Sequence, residues 1–238
     1  MDKANHAYEP INKLHVSHQG AAIQAFIKNS ETNEIDVVKK LIQRVQKTQH
    51  SFLDIQNTAD DVFSNQSAKQ SLLLAKRLYV SKSYQARSLG VFILGRLAAT
   101  SNESLAFLKL QVSQDTDWRV IAIMAKAFNR YCADIGYEDA LPIIREWLAD
   151  ADPNVRRAVT EGLRVWTGRP YFIKHPSLAI QLLSAHRNDE SAYVRGSVGN
   201  ALREISKNHP AIVKNELAKW DITMNNISHT HKLASKYL

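Results

Sequence analysis

Apolar residues recur at intervals of three and four along most of the chain, which is the spacing of one face of an α-helix. The pattern is clear over residues 35–45, where an apolar face opposes a face rich in lysine and arginine. Alternation typical of half-buried strands is scarce, and eight glycines and six prolines provide few turns for a many-stranded fold. The pattern therefore predicts an all-α protein.

From residue 68 onward the same spacing predicts a regular series of helices. Turn and capping residues mark three of the starts, at 115–117, 150–153 and 188–191. Upstream we expect a loose lead-in over 1–20, a short helix over 21–28 and one or two short helices within 49–67. The polar tail 223–238 is expected to be only partly ordered. The regular helices are predicted near 68–80, 84–99, 103–113, 118–133, 138–149, 154–166, 176–185, 192–207 and 211–219.

Small-then-apolar residue pairs recur along these helices and indicate an internal repeat. The pairs begin at Ser88, Ala122, Ala158 and Ser197, which lie 34, 36 and 39 residues apart. Two-helix units of this length are typical of HEAT-like repeats, which stack into an α-solenoid because one unit cannot bury its apolar face alone. We predict a single domain over 1–238: capping helices over 1–65, regular repeats over 66–220, and a tail over 221–238. The solenoid is expected to be curved, with a basic concave face.

Arginines recur near the predicted starts of the second helix of the repeats, the helices that line the concave face of a solenoid. Acidic residues are usual at such helix starts because the free N–H groups carry partial positive charge, so arginines at these positions must reach an anion or solvent. A stripe with the solenoid period would follow a phosphate backbone. Alternatively, each arginine bonds a carboxylate of the adjacent repeat, and the sequence leaves both interpretations open. The stripe comprises Arg87, Arg119, Arg156, Arg157 and Arg195, with Arg164, Arg169, Lys174, Arg203 and Lys207 further along.

Three tryptophans among these basic residues receive different interpretations. Trp118 begins a helix directly after polar residues, a position more open than a core. Trp147 shares an apolar helix face with Ile143 and Ile144, which favours burial. Trp166 stands at a predicted helix end, where stacking on a ligand and packing on the following loop are equally compatible with the sequence.

Composition favours a polyanionic partner. Lys and Arg number 31 against 23 Asp and Glu, a net charge of +8 in 238 residues. This balance is typical of nucleic-acid binding, although an anionic membrane surface or no such partner would also fit. No apolar run approaches the roughly 20 residues that span a bilayer, and the first ten residues lack a signal-peptide core. We therefore expect a cytoplasmic protein.

The usual sequence signatures of catalysis are absent. There is no Gly-rich phosphate loop, GxSxG, HExxH or CxxC motif. The single cysteine, Cys132, lies on an apolar helix face and is expected to be buried and inert. Only His229 and His231 have a spacing that metal ligands use, and they lie in the tail. Neither a metal nor a cofactor is expected.

Several runs of residues resemble the alkylpurine DNA glycosylases built from HEAT-like repeats, the AlkC and AlkD families. In that superfamily a concave basic surface cradles duplex DNA and N3- or N7-alkylated purines are excised. The resemblance implies a carboxylate that stabilises the developing oxocarbenium sugar and positions water. It covers about residues 70–220 and is carried by residues 117–120, 125–128, 146–148, 154–164, 193–195, 197–203 and 209–210.

Compared residue by residue with this family, the sequence keeps residues that match DNA contacts but lacks the residue that matches the essential acid. Trp118 matches the family's DNA-contacting tryptophan and Arg157 its phosphate-binding arginine, while Glu161 and Trp166 resemble a pattern of the AlkC branch. Ala122 occupies the place of the essential carboxylate of AlkD, and Asn200 that of its second cradle tryptophan. A methyl group can neither stabilise a cationic sugar nor orient water. The DNA contacts expected from this alignment and the arginine pattern are Trp118, Arg119, Arg156, Arg157, Trp166, Arg195, Asn200 and Arg203.

Three functions remain open from the sequence. The first is a monomeric protein that binds double-stranded DNA, including alkylated or distorted duplexes, with base excision weak or lost. The second is an active alkylpurine glycosylase in which Glu161 or Glu204 supplies the carboxylate. The third is a scaffold whose concave face binds an acidic protein partner.

Overall fold

The computed structural model describes residues 35–47, 52–164 and 166–238, and the expected lead-in and the helix over 21–28 lie outside them. Regular structure in the described residues is entirely helical. The longer helices are α1 (35–46), α2 (Phe52–Ser64), α3 (Ala68–Tyr79), α4 (Tyr84–Leu97), α5 (Asn102–Leu110), α6 (Trp118–Ile135), α7 (Leu141–Leu148), α8 (Pro153–Gly162), α9 (Pro170–Lys174), α10 (Pro176–Ser184), α11 (Ala192–Ser206), α12 (Pro210–Leu217) and α13 (Asn225–Ala234). Short 3₁₀ turns lie at Val112–Gln114 and Trp166–Gly168.

Side-chain caps start the helices of the repeat and confirm its period. The side chains of Ser83, Asp117, Asp152 and Ser191 each accept a hydrogen bond from a backbone amide in the first turn of α4, α6, α8 and α11. These caps lie 34, 35 and 39 residues apart. The caps Asp117 and Asp152 are 35 residues apart, whereas the small-then-apolar pairs of the same two helices are 36 residues apart. The difference arises because the pair at 158–159 lies one residue farther from its cap than the pair at 122–123.

The helices form two layers. Helices α2, α4, α6, α8, α11 and α13 pack side by side in that order, and we call them the inner row. Helices α3, α5, α7, α10 and α12 pack behind this row and form an outer layer. The core lies between the layers, where Trp147 of α7 stacks on Phe128 of α6 at 4.3 Å between ring centroids. The predicted core position of Trp147 is thereby confirmed, as is the burial of Cys132.

Small residues allow neighbouring inner-row helices to approach closely. A side chain at Gly162 of α8 would overlap the carbonyl oxygen of Ala125 in α6. A side chain at Gly95 of α4 would come within 2.8 Å of Ala127 in α6. Van der Waals contact between backbones is possible only where a side chain is missing, so these positions set the distance between repeats.

The expectation of a partly ordered tail is wrong. Residues Asn225–Ala234 form α13, which packs on α11 and continues the inner row. Ile227, Thr230 and Ala234 are buried, and the Thr230 hydroxyl donates to the carbonyl of Arg187 at 3.0 Å. Three buried residues at helical spacing are enough to pack α13 on α11, because Gly199 of α11 has no side chain and leaves room for Thr230 and Leu233.

Helix ends depart more from the predictions than helix starts. The helix predicted to reach residue 166 ends at Gly162, and α5 ends at Leu110 before a 3₁₀ turn. The stretch predicted as one or two helices within 49–67 is the single helix α2 in its described part. Gly136 ends α6 with φ of 93°, a backbone conformation that suits glycine.

Candidate nucleic-acid interface

The three arginines at the fourth position after a cap are structural. Arg87, Arg156 and Arg195 each direct Nη1 at the two backbone carbonyls of the loop that precedes their helix, at 2.6 to 3.1 Å. These bonds hold the loop between repeats against the first turn of the helix.

In Arg87 and Arg156 the remaining guanidinium nitrogens, Nε and Nη2, bind an aspartate of the next repeat. Nε and Nη2 of Arg156 donate to both carboxylate oxygens of Asp189 at 2.7 Å, and Arg87 binds Asp115 in the same way at 2.8 and 3.1 Å. The α6 helix has Ile121 at this position, and Lys109 of α5 pairs with Asp150 at 3.0 Å instead. The prediction that Arg156 contacts phosphate is therefore corrected, because its donors are already used by carboxylate and carbonyl oxygens. Arg195 donates to the loop carbonyls from Nη1 and its buried Nε has no hydrogen-bond partner, so its phosphate contact stays a prediction.

Arg119 is held at the start of α6 but remains partly exposed. Its Nε and Nη2 donate to both oxygens of Asp117 at 2.9 and 2.7 Å, and its guanidinium lies 3.4 Å from the centre of the Tyr84 ring. Hydrogen bonding by Arg119 holds the pKa of Asp117 below its usual value. One face of the guanidinium is thus covered by an aromatic ring, while its charge is balanced locally.

Arg157, next to Arg156, makes no ion pair with an acidic side chain in the described part of the chain. Its guanidinium carbon lies 5.8 Å from the ring centre of Tyr193, a residue of α11 whose side chain is 77% exposed. Tyr193 is one of the aromatic residues that lie among the basic residues in the sequence, but it was not selected as a DNA contact. Its signal was an aromatic residue in the first turn of a helix, two residues after the Ser191 cap, whereas Trp118 directly follows its own cap.

Trp118 and Ala122 lie one helical turn apart at the start of α6. Trp118 is 68% exposed, which confirms its predicted open position, and Ala122 is half-buried. Inner-row helices are covered by neighbours on two sides and by the outer layer behind, so their exposed residues face one open side of the row. We call this side the open face.

The two candidate carboxylates lie on neighbouring inner-row helices and are engaged by polar partners. Glu161 of α8 accepts a hydrogen bond from the Ser197 hydroxyl at 3.2 Å and lies 3.3 Å from Arg164. Glu204 of α11 pairs with Lys207 at 2.6 Å, a contact that lowers the pKa of Glu204. Both side chains are about one quarter exposed.

Trp166 cannot serve as a stacking surface. Its side chain is 0% exposed and its ring centre lies 4.4 Å from that of Phe172. Of the two interpretations of Trp166, packing on the following loop is therefore correct, and the prediction that Trp166 contacts DNA is wrong. Asn200 and Arg203 are half-buried on α11, and Arg203 lies 5.7 Å from the centre of the Tyr237 ring.

The described residues contain no group of three His, Cys, Asp or Glu side chains that could hold a metal ion. Within the same residues, no helix has the length and apolar character required to cross a membrane.

Comparison with known proteins gives matches over most of the chain. AlkD2 from Streptococcus mutans is 41% identical, with a TM-score of 0.84 over 86% of this chain and 99% of that one. A predicted DNA alkylation repair enzyme from Enterococcus faecalis shares the fold at 15% identity, with a TM-score of 0.62 over 85% of this chain and 95% of that one. YhaZ of Bacillus subtilis, an uncharacterised protein, is 36% identical over 78 residues, or 31% of this chain and 22% of that protein's length. A family model described as DNA alkylation repair enzyme matches residues 22–238. The chain therefore belongs to the DNA alkylation repair enzyme family.

Proposed function

We propose that this protein binds double-stranded DNA on the open face and that its excision of alkylated bases is weak or lost. The observation that carries the proposal is the composition of the open face at the start of α6 and α8. Trp118 is exposed there, Arg157 has no acidic partner among the described residues, and an alanine occupies the place of the acid.

The electrostatic part of the proposal rests on the few cations that the fold leaves available. Arg87 and Arg156 are neutralised by aspartates, and phosphate would have to displace two good hydrogen bonds from each. Arg157 offers a full guanidinium fork beside the exposed ring of Tyr193. A fork of this kind binds a phosphate through two parallel hydrogen bonds, so Arg157 is the main phosphate contact of the proposal.

The catalytic part of the proposal rests on Ala122. A preorganised charge at the reacting centre contributes several kcal/mol, about 3 to 4, to transition-state stabilisation in enzymes of this kind. The Ala122 methyl group supplies none of this. Replacement of a single acid is therefore expected to slow base excision by about 100- to 1000-fold relative to an enzyme that retains it.

Glu161 supports a second candidate, residual base excision. It follows Arg157 by one helical turn on α8 and is one quarter exposed, so its carboxylate lies on the open face near the proposed phosphate contact. Its hydrogen bond from the Ser197 hydroxyl orients the carboxylate, the group type that would stabilise a cationic sugar.

The DNA-binding proposal is tested by fluorescence anisotropy with a labelled duplex at several salt concentrations. Binding is expected to weaken as salt rises, and Trp118→Ala and Arg157→Ala should each reduce affinity. Arg145→Ala, which removes an exposed arginine from α7 in the outer layer, is the matched control and should bind as the wild type does. A wild-type protein without salt-dependent binding would refute the proposal.

Excision is measured separately, as release of 7-methylguanine or 3-methyladenine from methylated DNA at enzyme excess. We expect little or no release from the wild type. Release that Glu161→Gln or Glu204→Gln abolishes would establish the second candidate instead, and release that Ala122→Asp increases would show that only the acid is missing.

A further inference from the structure

A cleft of about 290 Å³ lies between α2, α4 and α6, near the residues of the proposed interface. Its lining residues come from all three helices, and its cations are Arg96, Lys126 and Arg130. Lys126 follows Trp118 by eight residues on α6, a separation of about 12 Å along the helix axis. The cleft is therefore distinct from the start of α6, and we call it the α6 cleft.

Lys126 is the cation of the α6 cleft that has no acidic partner among the described residues. Arg96 donates from Nε to Asp60 at 2.6 Å, and Arg130 donates from Nε to Asp134 at 2.7 Å. Both arginines thus have carboxylate partners. The side chain of Lys126 is exposed, and within the described part of the chain its ammonium group makes neither an ion pair nor a hydrogen bond.

The position of Lys126 on α6 leaves its amine accessible from the open face. Ala122, Lys126 and Arg130 follow one another at intervals of four residues, so they share one side of the helix. Helical side chains lean toward the helix N-terminus, which directs the stem of Lys126 over the turn that contains Ala122. The Ala122 methyl group fills little of this space. The ring of Phe52 forms a wall beside the amine, with its centre 5.6 Å from Nζ.

A primary amine without a counterion can do what the neighbouring arginines cannot. Lysine amines form imines with aldehydes and ketones, whereas the guanidinium of arginine stays protonated and is not a nucleophile. Intact DNA contains no aldehyde. A sugar that has lost its base does contain one, because its ring opens and exposes an aldehyde at C1′. An abasic site is therefore the DNA component with which this amine can react.

We propose that Lys126 forms an imine with the C1′ aldehyde of an abasic site and cleaves the strand as a lyase, an inference that rests on the DNA binding proposed above. The Lys126 ammonium group first gives one proton to water. The neutral amine then bonds to C1′ while one of its protons moves to the aldehyde oxygen. This oxygen takes up the proton given to water, the C1′–O bond breaks, and one water molecule leaves behind a protonated imine.

Strand cleavage follows by elimination from this imine. The positive nitrogen withdraws electrons from C2′, so a C2′ proton is lost to water. The C3′–O bond then breaks, and its electron pair leaves with the 3′ phosphate as a double bond forms between C2′ and C3′. Water hydrolyses the imine, which releases Lys126 and an unsaturated aldehyde. Water is the only other reactant.

A simpler explanation is that Lys126 contributes only positive charge to DNA binding. Lys126→Arg separates the two explanations, because arginine keeps the charge but lacks the primary amine. The matched control is Lys207→Arg, the same change at an exposed lysine that directly follows α11 and pairs with Glu204 at 2.6 Å. Both lysines are exposed, so neither change is expected to disturb the fold.

The test traps the imine on a duplex that contains a single abasic site. Protein at a saturating excess is mixed with this duplex and sodium borohydride, which reduces the imine to a stable amine, and the cross-link is measured on a denaturing gel. We expect the wild type and Lys207→Arg to cross-link equally. Lys126→Arg should fall to the background given by a duplex whose abasic aldehyde has first been reduced to an alcohol. Mass spectrometry of the digested complex should place the adduct on Lys126.

Two further measurements complete the test. Without borohydride, the wild type and Lys207→Arg should nick the abasic strand and Lys126→Arg should not. Affinity for the abasic duplex, measured by anisotropy, should be the same for all three proteins. Trapping that persists in Lys126→Arg, or that falls only in parallel with affinity, would overturn the inference.

The outcome for the wild type separates this inference from the proposed function. A wild type that binds the duplex but gives no cross-link, or no nick, would overturn the lyase and leave DNA binding intact. A wild type that binds neither intact nor abasic duplex would overturn both.

Discussion

Arg156 and Arg157 are adjacent in the chain and have opposite environments. The side chain of Arg156 is largely buried and binds both oxygens of Asp189, which is itself almost inaccessible. Arg157, 100° farther around the same helix, lies against the exposed ring of Tyr193. Removal of one partner of a buried pair leaves an uncompensated charge, whereas removal of an accessible arginine leaves none.

These environments predict opposite effects of two neighbouring substitutions. Arg156→Ala should lower the free energy of unfolding by about 3 kcal/mol, because Asp189 remains buried without its partner. Arg157→Ala should change it by less than about 0.5 kcal/mol and instead reduce DNA affinity. Urea denaturation of both variants measures the first quantity. Equal stability of the two would contradict the assignment of Arg156 as a tie between repeats.

Sequence reasoning gave the phosphate contact to Arg157 and left open whether Arg156 contacts phosphate or ties neighbouring repeats. The partner of Arg156 lies 33 residues away in the loop before α11, and only the packing of α8 on α11 brings the two together. Trp118 was predicted correctly because its exposure follows from the local cap. Trp166 was not, because its burial depends on Phe172 in the short helix α9.

Two glycines of the inner row illustrate how helix packing determines which residues are tolerated. Gly162 faces the backbone of Ala125 in α6, so a Cβ at this position would overlap a carbonyl oxygen. Gly196 of α11 has no atom within 4 Å of the place where its Cβ would be. Both are helical, and they differ only in what lies opposite.

Substitution by alanine should therefore have opposite signs at these two glycines. Gly162→Ala is expected to destabilise the protein by about 1 to 3 kcal/mol, since α6 and α8 must move apart. Gly196→Ala is expected to stabilise it by about 0.5 to 1 kcal/mol, because alanine restricts the unfolded chain and fits the helix. Thermal and urea unfolding of the two variants and the wild type measure these changes in stability. Two changes of the same sign would show that the distance between α6 and α8 is adjustable.

Helix starts were more predictable than helix ends for a related reason. Caps such as Asp117 and Asp152 are local, since their side chains bond amides two residues away. The end of α8 at Gly162 and the existence of α13 depend on neighbouring helices. The apolar face of α13 consists of few residues, and only the space above Gly199 of α11 makes it sufficient.

At the scale of the whole molecule, the period of the repeat was visible in the sequence, but the use of its charges was not. Arginines recur with nearly this period both near the helix starts and two turns further along. Arg87 and Arg156 hold repeats together through aspartates in the loops, and Arg96 pairs with an aspartate of α2. Arg130 and Arg164 instead pair with acids within four residues, so spacing alone could not distinguish a structural tie from a ligand contact. The number of donors already used by carboxylates and carbonyls distinguishes them.

The ties between repeats predict that acid weakens the solenoid. Burial opposes ionisation of Asp189, but hydrogen bonds from Arg156 and the Ser191 amide outweigh it, so the pKa of Asp189 lies below its usual 3.8. A carboxyl whose pKa is lowered by folding contributes stability above its unfolded pKa, and this is lost as pH falls. The excess stability of wild type over Asp189→Asn should thus be smaller by about 1 kcal/mol at pH 3 than at pH 5, where the nearby His186, 3.5 Å from Asp189, is already protonated in the unfolded chain. Urea denaturation at each pH measures this difference, and one that stays constant or grows on acidification would mean that the Arg156–Asp189 pair does not hold the two repeats together.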